Sequence, residues 1–139
     1  MSQKSVVTVE NITNIALEGR RPGCEKGLLH EDAPVQTAVY RVQPGSGVPT
    51  HLHARVYDLF IGMKGTLEIR YEGEHGNGVF VLKPGGFCRV PPSVRHELSN
   101  PSRTDETVFL LVQASQEGFD YVPAPFRTIE PALLFSPRT

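Results

Sequence analysis

The sequence lacks tryptophan altogether, has only two cysteines, and has no excess of charge of either sign. Fourteen lysine and arginine residues stand against fifteen aspartate and glutamate residues, which gives a formal net charge of −1. This balance offers no electrostatic basis for binding nucleic acid or an anionic membrane surface. A run of roughly 20 apolar residues, which a transmembrane helix requires, is also lacking. We therefore expect a protein that binds neither nucleic acid nor membranes.

The N-terminal segment MSQKSVVTVENITNIALEGR has no continuous apolar stretch like that of a signal peptide. On this basis we predict a cytoplasmic protein. Because disulfides are rare in that compartment, Cys24 and Cys88 are expected to be free thiols. We expect Cys88 to be a small apolar core residue without a chemical role.

Short segments that favour β-strands recur along the chain. At 139 residues the chain has the length of one domain, and 13 glycines and 12 prolines interrupt it at short intervals. Between these breaks lie segments rich in Val, Ile, Phe, Tyr and Thr, the residues that strands favour. The predicted strands are 36–42, 57–62, 66–71, 79–83, 87–90, 96–100 and 107–113, with 5–9 as a further candidate. Many short strands separated by turns are typical of an all-β sandwich or barrel.

Two further segments carry their own local signals. The sequence HGNG at 75–78 is typical of a hairpin turn, because Asn and Gly tolerate positive φ. The tail from residue 118 has four prolines and four aromatic residues. We expect this tail to wrap the barrel or a partner chain, with a short helical turn near 130–134.

The segment HLHARVYD, at 51–58, places two of the five histidines one residue apart. On a strand, His51 and His53 would point to the same face. Their Cβ atoms would then lie roughly 7 Å apart, so both imidazoles could bind one metal ion at about 2.1 Å. Asp58 lies five residues after His53, so on one continuous strand it would point to the opposite face. It can join the histidines only if the chain turns or bulges at 54–56. His96 lies 43 residues beyond His53 and can join only if the fold brings its strand alongside.

Two spaced motifs surround these residues. The segment from Gly45 to Gly65 reads G-x5-H-x-H-x4-D-x6-G, and the segment from Gly85 to Asn100 reads G-x5-P-x-S-x2-H-x3-N. In this order and spacing they resemble the two sequence motifs of the cupin superfamily. The chain departs from the family pattern at two positions, with Asp58 in place of Glu and Ser93 in place of Gly.

The resemblance implies an antiparallel jelly-roll barrel, also called a double-stranded β-helix, in a protein that is usually a dimer. We expect one cupin domain over 1–139, with its core at roughly 36–113, an N-terminal strand extension and a C-terminal tail. The family typically binds one Fe, Mn, Ni, Zn or Cu ion through three histidines and a glutamate. Carried over, the ligands are His51, His53 and His96, with Asp58 as the fourth.

The two departures each have a physical consequence. Aspartate is one methylene shorter than glutamate, so the Asp58 carboxylate binds a metal only if its strand lies closer, or else acts through a water. Ser93 lacks the freedom of glycine at positive φ, and we therefore expect a different type of turn there.

The remaining polar candidates have ordinary structural interpretations beside the functional ones. Arg89 and Arg95 flank the second motif, and either could bind a substrate carboxylate, although a solvated arginine is the commoner case. His30 and His75 are expected to be solvated surface residues.

Three other residues are expected to shape the site without reacting. Phe60 and Leu98 share the parity of Asp58 and His96, and we expect them to line the pocket wall. Asn100 is expected to be a structural turn residue at a strand end.

The function that these observations favour is a metal-dependent cupin, acting on a small organic molecule as a dioxygenase, isomerase or decarboxylase. One alternative is a non-enzymatic module that binds a metal or a ligand. A second alternative is a metal-free sugar epimerase of similar fold, which would need a His–Asp base pair and a tyrosine acid. We expect a two-fold homodimer, because an open jelly roll has exposed strand edges that the segment 5–9 and the tail could cover.

Overall fold

A computed structural model describes residues 6–127 of the chain, and they form almost entirely β-structure. A single turn of 3-10 helix, Ile12–Asn14, precedes the first strand. The strands are β1 Glu18–Arg21, β2 Cys24–Asp32, β3 Val35–Val42, β4 Gly47–Leu52, β5 Tyr57–Lys64, β6 Leu67–Gly73, β7 Gly76–Leu82, β8 Phe87–Val90, β9 Arg95–Ser99, β10 Thr107–Ala114 and β11 Val122–Pro123. Within the described residues, no helix is long and apolar enough to cross a membrane.

The strands form two antiparallel sheets. The first has the order β1-β2-β3-β10-β5-β8, and the second has the order β11-β4-β9-β6-β7. Strands that are distant in sequence are neighbours, as where β10 pairs with both β3 and β5. The chain therefore passes repeatedly between the sheets, as in a jelly roll, and the all-β prediction is confirmed.

The core lies between the two sheets and changes from apolar to polar along several of the central strands. On β10 the buried residues alternate strictly, at Thr107, Phe109, Leu111 and Gln113. Phe109 and Leu111 belong to the hydrophobic cluster, whereas Gln113 on the same face lies beyond it. Since the inward side of a strand is set by alternation, the barrel has an apolar middle and a polar interior at one end.

The turns required by the two motifs occur where glycine is needed. Gly45, Gly65 and Gly85 all have positive φ, at 73°, 71° and 83°. At Gly65 a Cβ atom would also lie 2.5 Å from the backbone oxygen of Glu106, which leaves no room for a side chain.

Ser93 corrects one expectation. Its φ is 70°, so it adopts the left-handed conformation that glycine normally supplies, and the prediction of a different turn type is wrong. The Ser93 N–H donates a hydrogen bond of 2.7 Å to the backbone oxygen of His53. This bond ties the turn of the second motif to a residue of the first and helps to offset the conformational cost.

Two local predictions also need correction. Residues 6–9 form no strand, and Val7 and Val9 are exposed; residue 5 lies outside the described part of the chain. The hairpin turn lies at 74–75, two residues before the centre of the HGNG segment at 76–77. Strand β7 already begins at Gly76. At Gly78, inside the strand, a Cβ would lie 2.6 Å from the hydroxyl of Tyr71 on the paired strand, so a side chain there would displace the Tyr71 ring.

The tail lies along the barrel as far as it is described. Val122 and Pro123 pair with Leu52 and His51 of β4, which places β11 at the edge of the second sheet. The helical turn predicted near 130–134 lies outside the described residues.

Candidate metal centre

Two strands of one sheet and one strand of the other bring the four candidate residues together. His51 on β4 lies opposite His96 on the adjacent strand β9. His53 follows the end of β4, and the chain then bends at 54–55 before β5 begins in the facing sheet with Asp58 near its start. This is the turn that Asp58 needs in order to face the histidines.

The resulting cluster is compact and buried. One ligand atom each from His51, His53, Asp58 and His96 lies within 4.8 Å of the others. Each of the four residues is at most 5% exposed to solvent. The sequence therefore identified four residues that the fold does bring to one point.

Each imidazole is oriented by a hydrogen bond to a backbone carbonyl. The Nδ1 atom of His51 lies 2.7 Å from the oxygen of Pro49, and that of His96 lies 2.9 Å from the oxygen of Val94. The Nδ1 atom of His53 makes a short hydrogen bond to the oxygen of Asp120. Because a carbonyl can only accept, each Nδ1 carries a proton, and in the neutral imidazole each Nε2 is left with a lone pair for the centre of the cluster.

Asp58 faces two of these lone pairs. Its Oδ2 atom lies 3.0 Å from Nε2 of His53 and 3.0 Å from Nε2 of His96. Its other oxygen, Oδ1, accepts a hydrogen bond of 2.9 Å from the Gln113 side chain. Gln113 in turn accepts a bond of 2.9 Å from Gln36, so two buried amides hold the carboxylate in place.

The electrostatics of the cluster favour an ionised Asp58 and a neutral His51. Burial raises the pKa of Asp58, but the hydrogen bonds and charges of His53 and His96 outweigh burial and hold it below its ordinary value. Burial, reinforced by His96, lowers the pKa of His51 to about 4. Burial also lowers the pKa of His53, but its hydrogen bond to Asp58 and the Asp58 charge together raise it above its ordinary value.

The donor set fits a divalent transition metal ion. Three imidazole nitrogens and one carboxylate oxygen are ligands that Fe, Mn, Ni, Zn and Cu all accept. With every Nδ1 proton committed to a carbonyl, the lone pairs and the Asp58 oxygen repel one another unless positive charge lies between them. A second proton on His53 would satisfy only one contact, whereas a cation at the centre would satisfy all four groups.

A strap formed by residues 118–124 covers one side of the cluster. The Tyr121 ring stacks on the His51 ring, with centroids 4.5 Å apart and an interplanar angle of 21°. The Asp120 carboxylate accepts a hydrogen bond of 2.7 Å from the N–H of Ala54, and its backbone oxygen holds His53. From the sequence we expected only that the tail wraps the barrel or a partner chain, and no local pattern connects Asp120 or Tyr121 to the histidines.

A cleft of about 750 Å³ leads from the surface to the cluster. Phe60 and Leu98 line it, as expected from their parity. Arg89 and Arg95 do not line it; Arg89 is exposed and lies over the ring of Tyr57, at 5.5 Å from its centroid. The cations that do line the cleft are Arg20, Arg21 and Lys26, from a segment with no predicted strand.

The other residues singled out from the sequence are not members of the cluster, although Cys24 lines the cleft. His30 and His75 are exposed, and Cys24 and Cys88 are free thiols whose pKa burial raises. Asn100 is fully buried: its side-chain amide donates to the backbone oxygens of Val42 and Asp105. It therefore fixes the loop after β9, as expected of a structural residue.

The fold and the cluster define a jelly-roll protein with a candidate metal centre inside one end of the barrel. A family model for the cupin domain matches residues 38–113, and the chain belongs to the cupin family. A search of curated proteins found no match.

Solved structures support the same fold. An uncharacterized conserved protein with a double-stranded β-helix domain from Klebsiella pneumoniae has a TM-score of 0.70 and 18% identity, covering 89% of this chain and 98% of that one. KdgF from Halomonas sp. has a TM-score of 0.68 and 14% identity, covering 81% and 96%. An oxalate oxidase in complex with the substrate analogue glycolate has a TM-score of 0.68 and 20% identity, covering 84% and 63%. At these identities the likeness concerns the fold alone.

Proposed function

We propose that this protein is a metal-dependent cupin that acts on a small organic molecule. In this proposal, His51, His53, His96 and Asp58 bind one divalent transition metal ion, which is Fe, Mn, Ni, Zn or Cu. The observation that carries the proposal is the common orientation of three Nε2 lone pairs and one carboxylate oxygen toward one point. Such a set of acceptors needs a cation to be stable when buried.

The protein's own groups would prepare the site for a ligand. A metal ion held there would act as a Lewis acid toward a hydroxyl, enol or carboxylate. The backbone carbonyls of Pro49 and Val94 fix two imidazoles, and Gln113 fixes the carboxylate, so little rearrangement is needed on binding. The cleft gives a small molecule access to the same point.

We propose three possible reaction classes, which are metal-dependent oxidation, isomerisation and decarboxylation. A dioxygenase is the leading case. The fold does not choose among these reactions. The similar structure of an oxalate oxidase with bound glycolate supports a small organic ligand. A non-enzymatic role in binding a metal or ligand is the alternative, and turnover of a substrate panel by metal-loaded protein distinguishes it from an enzyme.

A metal-free epimerase is supported by one observation and opposed by another. A His–Asp contact at 3.0 Å and two cleft tyrosines, Tyr40 and Tyr121, are the groups that such chemistry needs. A general base must, however, present its basic nitrogen to the substrate. Here Nε2 of both His53 and His96 faces Asp58, and Nδ1 is bonded to the backbone, so the metal-dependent function fits better.

The homodimer and the cytoplasmic location remain parts of the proposal. Strands β7 and β8 are sheet edges with exposed apolar side chains, Val79, Val81 and Phe87, which supports an interface there. Light scattering at micromolar concentration should give the mass of a dimer, and a monomer would contradict this part. Two free thiols support a reducing compartment.

Metal analysis of purified protein tests the metal centre. After reconstitution and removal of free metal, the wild type should retain close to one divalent ion per chain. His51→Ala and His96→Ala should lose it, whereas His75→Ala, which changes an exposed loop histidine, should retain it. Equal metal contents in all four proteins would show that the assignment is wrong.

A further inference from the structure

Three cations line the cleft that leads to the cluster. Arg20 and Arg21 end β1, and Lys26 lies near the start of β2, the other strand of the hairpin, where its backbone pairs with that of Glu18. All three line the same cleft as His51, His53 and Asp58. A small molecule at the candidate metal centre would therefore have positive charge beside it.

These cations have no anionic partner within residues 6–127. The contrast is Arg41, on the neighbouring strand β3, which pairs with Glu25 at 2.7 Å. No carboxylate of the described residues forms an ion pair with Arg20, Arg21 or Lys26. The Nε atom of Arg21 is buried and has no hydrogen-bond partner there.

Unpaired cations that lie close together are costly unless something else binds them. Burial lowers the pKa of Lys26, and the nearby Arg20 lowers it further. Glu31 and Asp32 also line the cleft, and the charge of Glu31 partly offsets this lowering of the Lys26 pKa. Among the described residues, however, none of the three cations is ion-paired, and the buried Nε atom of Arg21, which has no partner, carries a penalty that a ligand oxygen would remove.

Two stacked aromatic rings, those of Tyr40 and Phe109, form a surface beneath Lys26. Lys26 Nζ lies 5.6 Å from the ring centroid of Tyr40, and that ring stacks on Phe109 at 5.1 Å. Tyr40 also lines the cleft. The stacked rings limit the positions that the ammonium group can adopt, and this lowers the entropy cost of ordering it around a ligand.

We propose that the cleft binds a small organic acid with two anionic ends, one at the metal centre and the other, a carboxylate, at Arg21 and Lys26 with Arg20 at the rim. The inference rests on the proposed function, because the metal centre holds the first end. It names the substrate class and assigns three further residues to its recognition. An arginine can donate two parallel N–H hydrogen bonds to a carboxylate, and a lysine adds a compact positive charge.

The test uses acids that share one end and differ at the other. Pyruvate, 2-oxoglutarate and 2-oxoadipate all carry a 2-oxo carboxylate for the metal, but pyruvate lacks the second carboxylate. Each is titrated calorimetrically into Co(II)-reconstituted protein whose cobalt content has been measured. At least one of the two longer acids should bind about tenfold more tightly than pyruvate, the typical value of a charged hydrogen bond.

Variants assign the preference to the named residues. Arg21→Gln and Lys26→Met should each remove most of the preference, because they weaken binding of the longer acids much more than binding of pyruvate. Arg41→Gln removes an arginine that is paired outside the cleft and should keep the preference. Circular dichroism of each variant checks that the barrel is folded.

The outcomes separate the two proposals. One cobalt ion per chain with no preference for either longer acid overturns the second anion site and leaves the metal centre standing. The same holds if the preference survives in both cleft variants. Failure to retain cobalt contradicts the metal centre itself, and the two-ended acid is rejected with it.

Discussion

Asp58 and His96, which are 38 residues apart and lie in different sheets, meet at 3.0 Å between Oδ2 and Nε2. The contact crosses the interior of the barrel and joins the two sequence motifs. Asp58 reaches it although it is shorter than the glutamate of the family pattern, because β5 begins directly after the turn at 54–55. The shorter side chain is therefore compatible with direct binding to a metal ion.

Exchange of Asp58 tests whether it is a ligand. Asp58→Asn removes the only anion of the four candidate residues, so metal affinity should fall steeply. Asp58→Glu restores the usual family residue and should hold the metal as well as the wild type or nearly so. Competition with a chromophoric chelator measures both. If Asn matches the wild type while Glu does not, Asp58 is not a ligand.

Gln113 should affect metal affinity because it orients the Asp58 carboxylate. Gln113→Leu keeps most of the side-chain volume but removes the hydrogen bond to Oδ1 of Asp58. Loss of a group that orients a ligand typically lowers metal affinity about 10- to 100-fold. The same chelator competition measures this loss. Gln116→Leu, at an exposed position, is the matched control and should leave affinity unchanged. Equal affinities in the two variants would rule out an orienting role.

The strap should stabilise the position of His51. Tyr121→Ala removes the ring stacked on His51, and metal affinity should fall about two- to tenfold, the range typical of an aromatic pair. Tyr121→Phe keeps the ring and should restore the affinity of the wild type. A loss of the same size in the Phe variant would instead point to the hydroxyl group.

Tyr40 should make the free energy of unfolding decrease as the pH becomes alkaline. Burial raises the pKa of its phenol well above the ordinary value, so the folded protein favours the neutral form. A raised pKa contributes stability fully below the ordinary value of about 10, and this contribution is lost as the pH rises above that value toward the pKa of the folded state. Urea unfolding of metal-free protein at pH 8 and pH 11 should show the decline. Tyr40→Phe should flatten it, and an equal decline in this variant would contradict the assignment.

The sequence predicted the central strands because their signals are local, and it predicted the four clustered residues because its two motifs resemble those of the cupin superfamily. The apolar segments around Phe60 and Phe109 have strong β-propensity, and motif spacing singled out His51, His53 and His96. Strands β1, β2 and β4 were missed because they are charged, polar or interrupted by Pro49. That the whole of 1–139 forms one domain stays a prediction.

The strap and the three cleft cations could not be predicted for the same physical reason. Asp120 lies 67 residues from His53, and Arg21 comes from an edge strand with no apolar alternation. Their roles depend on which strands pair across the sheets, and a single sequence carries no local signal for such pairing.

X-ray absorption spectroscopy of Zn(II)-reconstituted protein tests the metal centre most directly. The extended fine structure should show three imidazole ligands, with nitrogen at about 2.0–2.1 Å, and at least one further oxygen. His96→Ala, if it retains any zinc, should show one imidazole fewer. A wild-type spectrum with oxygen ligands alone, or with a single imidazole, would contradict a metal centre at His51, His53, Asp58 and His96.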